Sequence, residues 1–315
     1  MAPLDVMLDI ISLRAHFPTH DGLVKAVDEV SLQIGKNERV GLIGETGCGK
    51  TVLGMSIIRL LLPTTRITGR IIYQGRDLLS LSEEEMRHLR GGEIAMIFQN
   101  PTTSLNPVLK IGDQIAEVIR LHRGLDKEEA KAEAVQMLDA AMIPEPSKRA
   151  DQYPHELSGG MKERVMIAMG LAGQPFFVIA DEPTKGLDAL TKAEIIKLIR
   201  DMTADRSMLM ITHDLNAAGE ACNRIAVMYA GELLEVAPAQ TILSDPGHPY
   251  TQGFVRSLPS LGLHPIPGSS PSLIDPPKGC RFHPRCPRAK DICKREHPPM
   301  ISRGKDACVR CFLCT

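Results

Sequence analysis

Four sets of residues have the types and spacing to do chemistry. The first is Gly44-Glu45-Thr46-Gly47-Cys48-Gly49-Lys50-Thr51, which fits G-x-x-x-x-G-K-[ST] without a gap. Glycines there let the backbone turn tightly, so that successive N–H groups and a following helix N-terminus face β- and γ-phosphates. Lys50 adds a point charge, and the Thr51 hydroxyl is placed to ligate Mg²⁺. The second set, Leu157-Ser158-Gly159-Gly160, opens a helix with a hydroxyl and free N–H groups. It reads as a second anion site, although taken alone an ordinary N-cap accounts for it. The third lies where apolar runs end: Gln99 after Ile94–Phe98, Asp181 and Glu182 after Phe176–Ala180, and His213 after Ser207–Thr212. Asp181 suits a Mg²⁺ held through its water shell, Glu182 suits polarisation of an attacking water, and Gln99 suits the metal or that water. His213 could donate to a γ-phosphate, whereas a lone histidine is usually structural. The fourth set is cysteine: of eight, six crowd into the last 36 residues, which in a reducing compartment argues for metal rather than disulfides.

The elements that must position these groups can be read from periodicity. Arg39–Ile43 is a short buried strand entering the glycine loop, and Val52–Leu61 has the length and apolar content of a helix leaving it. Upstream, Met7–Leu13 and Val24–Ile34 read as antiparallel strands, with Phe17–Gly22 between them as a turn. An exposed Phe17 there could stack on a purine, and a Phe filling the core is an equal alternative. Ile67–Tyr73 is a further strand, and Ser82 with Glu83–Glu85 starts a short helix. From Lys110 to Leu121 and from Lys127 to Ala141 the period becomes helical, with Gly124 at the break. This all-helical insert interrupts an alternating α/β pattern. Val165–Ala172 is an apolar helix, and Ile225–Tyr229 and Glu232–Val236 form a hairpin around Ala230-Gly231.

Composition narrows the class. A chain of 315 residues with a net charge of −1 has room for a large core and nothing global that points to nucleic acid or anionic lipid. No apolar run approaches the roughly 18 residues that span a bilayer. The start, Met1-Ala2-Pro3-Leu4-Asp5, lacks a basic region followed by an apolar one, so the expectation is a cytoplasmic chain without a signal peptide.

Taken in order, Gly44 to Thr51, Gln99, Leu157 to Gly160, Phe176 to Glu182, Asp188 and His213 resemble the Walker A loop, Q-loop, signature, Walker B, D-loop and H-loop of an ABC-transporter ATP-binding subunit. The resemblance covers about residues 7–236. It implies an α/β P-loop NTPase core with an antiparallel β subdomain, a helical subdomain and a Cys-rich C-terminal extension. The implied segments are 1–99 for the first part of the core, 100–164 for the helical subdomain ending in the signature, 165–236 for the second part, and 237–315 for the extension. ATP and Mg²⁺ are the implied cofactors. Val52 completes the phosphate loop, and Thr51, Gln99 and Asp181 serve Mg²⁺. Phe17 becomes the adenine-stacking residue, and Ser158, Gly159, Gly160 and Asp188 serve the nucleotide across a head-to-tail dimer. Cys48 departs from the usual Ser at a position that mainly offers backbone. Glu163 stands where Gln is more common, and Lys185-Gly186 where Thr-Ala or Ser-Ala usually stands.

Beyond the core, Gly247-His248-Pro249-Tyr250-Thr251-Gln252 and Gly279 to Pro287 resemble the C-terminal extension of oligopeptide, dipeptide and nickel importers, as does Met161 after the signature glycines. That resemblance implies a subunit powering a di- or oligopeptide importer from the cytoplasmic face of the membrane, with nickel or another metal complex as the alternative cargo. Its implied partners are a second ATP-binding subunit, two integral membrane permease subunits and, indirectly, an extracytoplasmic substrate-binding protein, with no nucleic acid. A soluble ABC protein acting on ribosomes or DNA usually carries two cassettes or long coiled coils, which this chain lacks. A simple P-loop kinase leaves Leu157–Gly160 and His213 unused. Cys280, Cys286, Cys293 and Cys308, separated by five, six and fourteen residues, match the subgroup's pattern for a 4Fe–4S cluster. Zinc is the rival, and the C-x₂-C-x₂-C run that ends the chain leaves Cys311 or Cys314 as a substitute for Cys308 or as a second site.

Overall fold

The computed structural model describes residues 5–304 and 306–314. The chain begins with β1 (Val6–Thr19) and β2 (Gly22–Gly35), a long antiparallel pair joined by a turn of only His20 and Asp21. Phe17, Pro18 and Thr19 are therefore strand, not turn, and Phe17 lies opposite Val24. After β3 (Arg39–Ile43) comes α1 (Lys50–Ile57), shorter at its end than the apolar content predicts. Ile58 caps it and Arg59 turns left-handed at φ 53°, which stops the helix and leaves Leu60 and Leu62 exposed. Then follow β4 (Arg66–Tyr73), β5 (Arg76–Asp77) and α2 (Glu83–Leu89). Ser82 and Glu85 form a complete capping box on α2, the reciprocal bonding that such a pair favours.

Next are β6 (Ile94–Ile97), α3 (Pro101–Ser104), α4 (Ile111–Arg123) and α5 (Lys127–Ala140). Gly124 ends α4 at φ 69°, and Asp126 caps α5. The short α6 (Pro146–Ala150) precedes α7 (Gly159–Ala172), β7 (Phe177–Asp181), α8 (Ala189–Met202) and β8 (Ser207–Thr212). The chain closes with α9 (Leu215–Ala221), β9 (Arg224–Tyr229), β10 (Glu232–Pro238), α10 (Ala239–Ser244), α11 (Pro249–Arg256), α12 (Asp291–Arg295), β11 (Ile301–Ser302) and β12 (Cys308–Val309).

These elements divide into two compact units, residues 1–79 with 211–315 and residues 80–210. In the first, the order β2-β1-β4-β5 makes an antiparallel sheet, and β11-β12-β10-β9-β3 makes a second, mixed set in which β3 runs parallel to β9. Ala230 and Gly231, both at positive φ, make the tight turn between β9 and β10, as the right-handed strand twist favours. A core of Ile43, Val227, Tyr229, Leu234, Tyr250, Phe282 and their neighbours joins β3 to the C-terminal segment. Full burial of rings such as Tyr250 and Phe282 contributes roughly 1.5–3 kcal/mol each.

The second unit holds β6, β7 and most of β8 with helices α2 to α8. β7 is buried at every residue and pairs in parallel with β6, the pattern of a strand covered on both faces. α7 is one unbroken helix from Gly159 to Ala172 and so runs across the boundary expected at residue 164. Among the described residues no helix is long and apolar enough to cross a membrane.

Candidate functional site

The phosphate loop is built by backbone that excludes side chains. Gly44, Gly47 and Gly49 all lie at positive φ. A Cβ on Gly49 would stand 1.9 Å from the Ala26 carbonyl oxygen, and one on Gly44 would stand 2.1 Å from that of Met228. Those two glycines are required sterically, whereas Gly47 has open space around it. Lys50 is 6% exposed, and its Nζ donates to the carbonyls of Gly44 at 2.8 Å and Glu45 at 3.1 Å. Cys48 is buried behind the loop, where its carbonyl accepts from Gly231 N–H at 2.9 Å. Burial raises the Cys48 thiol's pKa despite the opposing charge of Lys50. Thr46 is exposed, and Thr51 and Val52 are half-buried in the first turn of α1.

Each carboxylate and polar terminus stands where an element ends. Asp181 is the last residue of β7, 2% exposed, and Glu182 follows it, buried and held left-handed at φ 48°. A non-glycine residue in that region typically stores about 1–3 kcal/mol of strain and clusters at functional positions. Gln99, half-buried, lies two residues beyond β6. Ser158 is exposed and caps α7 by accepting from Met161 N–H at 3.3 Å, so the capping reading holds for its hydroxyl. Gly159 and Gly160 form the helix's first turn. Asp188 caps α8, and its hydrogen bonds from Thr191 hold its carboxyl below the usual range. His213 is exposed just beyond β8. Phe17 is half-buried on β1.

The C-terminal segment reaches the phosphate loop, a relationship no sequence motif signals. Glu45 accepts a two-pronged pair from Arg285, at 2.9 Å and 3.0 Å, and a further bond from the Ser270 hydroxyl. Its N–H donates to the Tyr250 hydroxyl at 3.0 Å. Burial raises the Glu45 pKa, but the hydrogen bonds from Arg285 and Ser270 and the charges of Arg285 and Lys50 outweigh it and lower it overall. Tyr229, Tyr250 and Phe282 pack ring against ring beneath, at 4.7–5.4 Å between centroids. Nearby, Arg281 bridges Asp28, Glu232 at 2.8 Å and the Ala230 carbonyl at 2.5 Å.

The cysteines regroup. Cys280, Cys286, Cys293 and Cys311 line one cavity together with His248. Cys308 does not: it is on β12, in register with Val236 of β10, and its neighbouring charges are Arg224, Glu235 and Arg310. Strand register therefore fixes Cys308 in the sheet, while the turn after β12 carries Cys311 to the cavity. Cys314 donates to the Gly247 carbonyl at 3.7 Å. Burial pushes the Cys280 thiol up to about 12 and Cys311 up to about 11. Among the described residues no three His, Cys, Asp or Glu converge closely enough to hold a single metal ion.

Comparison with known proteins places the chain. Residues 27–185 match the ABC transporter family and residues 234–293 the oligopeptide/dipeptide transporter C-terminal region. The dipeptide transport ATP-binding protein DppD of Bacillus subtilis is 42% identical over 98% of this chain and 95% of its own. The oligopeptide transport ATP-binding protein OppD of Salmonella typhimurium is 42% identical over 98% and 94%. Among solved structures, the dimeric post-hydrolysis state of the ATP-binding cassette MJ0796 bound to ADP and Pi superposes with a TM-score of 0.67 at 27% identity, covering 74% of this chain and 99% of that one. The chain belongs to the ABC transporter family of ATP-binding subunits. Within it, this is an ATP-hydrolysing subunit that carries the oligopeptide/dipeptide transporter C-terminal region.

Proposed function

We infer that this chain binds and hydrolyses ATP to power a membrane importer of di- and oligopeptides. The observation that carries this reading is near full-length similarity to two peptide-transport ATP-binding proteins, extending through both the cassette and the C-terminal region. In this reading the loop Gly44–Thr51 with Val52 cradles the phosphates, and Thr51, Gln99 and Asp181 serve Mg²⁺. Glu182 polarises the attacking water and His213 donates to the γ-phosphate. Phe17 stacks on the base. Ser158, Gly159, Gly160 and Asp188 serve nucleotide held by a second ATP-binding subunit, and closure between the two is passed to two permease subunits. Segments 1–99 and 165–236 form the nucleotide-binding core, 100–164 couples to the permease, and 237–315 is the extension. The subunit works peripherally at the cytoplasmic face, with a substrate-binding protein delivering cargo from the far side. The test is ATP-dependent uptake in proteoliposomes containing the co-purified permease. Peptide uptake is expected, whereas nickel uptake without peptide uptake would overturn the cargo assignment.

The four-cysteine cavity is proposed to hold a 4Fe–4S cluster, with Cys280, Cys286, Cys293 and Cys311 as ligands in place of the set ending at Cys308. The donor chemistry fits, because four thiolates suit soft metals and iron–sulfur clusters. Such a group would staple a proline-rich segment with only short helices. Iron, sulfide and zinc analysis of anaerobically purified protein decides between the cluster and zinc.

A further inference from the structure

His248 lines the same cavity and carries a buried polar atom without a partner. The ring is 1% exposed, and its Nδ1 accepts the backbone N–H of Tyr250 at 2.9 Å. An Nδ1 that accepts cannot carry a proton, so the ring is the neutral tautomer with its hydrogen on Nε2. That Nε2 is fully buried and has no hydrogen-bond partner. An N–H left this way costs about 1–3 kcal/mol, and an orphaned buried group in a native fold calls for a reason.

The other histidine lining the cavity, His283, has the opposite arrangement. Its Nδ1 lies 2.9 Å from the Cys280 carbonyl oxygen, which can only accept, so Nδ1 carries the proton. In its neutral form His283 therefore has no ring N–H to offer from Nε2. Apart from these rings, the cavity wall is mostly sulfur, apolar side chain and Arg288, a cation that donates but does not accept. Among the lining side chains, the acceptors open to the His248 proton are the cysteine sulfurs and the unprotonated Nε2 of His283, and the His283→Phe variant below separates the two.

We propose that His248 is a positioning residue for the cysteine site, donating from Nε2 to a sulfur of the group held by Cys280, Cys286, Cys293 and Cys311 and raising that group's reduction potential. This rests on the cluster reading above. Reduction adds negative charge to the sulfurs, and a fixed donor stabilises the more negative state. Nδ1 is occupied by a backbone donor, so the ring cannot turn its proton away without breaking that bond. The cap bond at the start of α11 holds Nδ1 and so fixes the direction of Nε2.

The experiment uses the full-length chain purified anaerobically. Iron and sulfide are counted, and the midpoint potential is measured by an EPR-monitored redox titration. His248→Phe keeps a ring of similar size and removes the donor, and it should retain the iron while its midpoint falls. A tenfold shift in the reduction equilibrium, about 59 mV for one electron, is the expected scale. His248→Gln, which restores an N–H, should recover part of that shift. If His248→Phe does not fold, the parental protein labelled with ¹⁵N-histidine provides the readout. Pulsed EPR of its reduced form should show a nitrogen coupling that persists in His283→Phe. Iron content equal to the parent with an unchanged midpoint in His248→Phe, or no nitrogen coupling in the labelled parent, would overturn this inference alone. A parent without iron overturns the cluster reading and this inference together.

Discussion

Arg285 grips Glu45 through its two terminal guanidinium nitrogens, so a residue next to a candidate metal ligand holds the second residue of the phosphate loop. The Arg285 side chain is 7% exposed, and its remaining donors reach the carbonyls of Pro267 and Ile266. The loop thus has a second support besides its own strand and helix.

Arg285→Ala should weaken ATP binding by roughly tenfold and lower stability by about 1–3 kcal/mol, the usual scale for losing charge-assisted hydrogen bonds. Arg285→Lys should recover only part, because an ammonium cannot make the forked contact. The pair also has a pH signature. Glu45's folded pKa lies below its ordinary value of 4.5, so its stabilisation is present above that pH and is lost as pH falls through the folded value. In acid denaturation curves the stability gap between parent and Arg285→Ala should narrow as pH falls below about 4.5 and through the lower folded pKa. Parallel curves would remove Glu45 from the account.

Glu182→Gln should keep ATP binding, slow turnover by at least about 10²-fold and accumulate a closed dimer, because it removes a carboxylate assigned to water activation. His213→Ala should likewise bind ATP and lose hydrolysis. Filter binding of nucleotide, phosphate release and size-exclusion chromatography with ATP separate the effects. Parental turnover in either variant returns that residue to a structural role.

Glu163, in the second turn of α7, is 3% exposed with its Oε2 unpartnered, and burial raises its pKa to about 8. The folded state therefore binds more protons than the unfolded one between pH 4.5 and 8, and stability falls as pH rises through that window. Glu163→Gln should remove this slope, gaining on the order of 4 kcal/mol relative to the parent at pH 8 compared with pH 4.5. Thermal melts across that range are the check, and identical slopes would show that Glu163 does not titrate there.

Cysteines placed at Ser104 or Leu109 should cross-link to a polytopic membrane subunit in the assembled transporter. This segment follows Gln99 directly, and Val108 and Leu109 expose apolar surface at 75% and 39%. Cross-links found only to ribosomal protein or nucleic acid would favour the soluble-ABC alternative.

Much of this was legible in the sequence because the signals are local. β8, β10 and the glycine loop follow from runs of residues whose neighbours decide their state, and Gly124 and Ser82 mark helix ends by capping chemistry. Where residues separated by more than two hundred positions meet, sequence gave no handle. Nothing in Arg281-Phe282-His283-Pro284-Arg285 says which guanidinium meets Glu45 and which meets Asp28. Spacing alone could not choose between Cys308 and Cys311, since the choice depends on which of them is paired in a strand. The left-handed Glu182 was invisible for a similar reason, because carboxylates carry no local preference strong enough to announce that conformation.

Arg281 is 7% exposed and joins Asp28, from the start of the chain, to Glu232, while His16 and His297 reach the same two carboxylates. Cutting the chain at the Gly262–Leu263 peptide bond, where Leu261 and Leu263 are half or more exposed, would leave that junction untouched. The two pieces should remain bound through gel filtration, and a separately made C-terminal piece should re-associate with a shortened chain. The extension is in this sense a subunit joined by a covalent thread, and removing it takes away Arg281 and Arg285, the buried guanidinium partners of Asp28, Glu232 and Glu45.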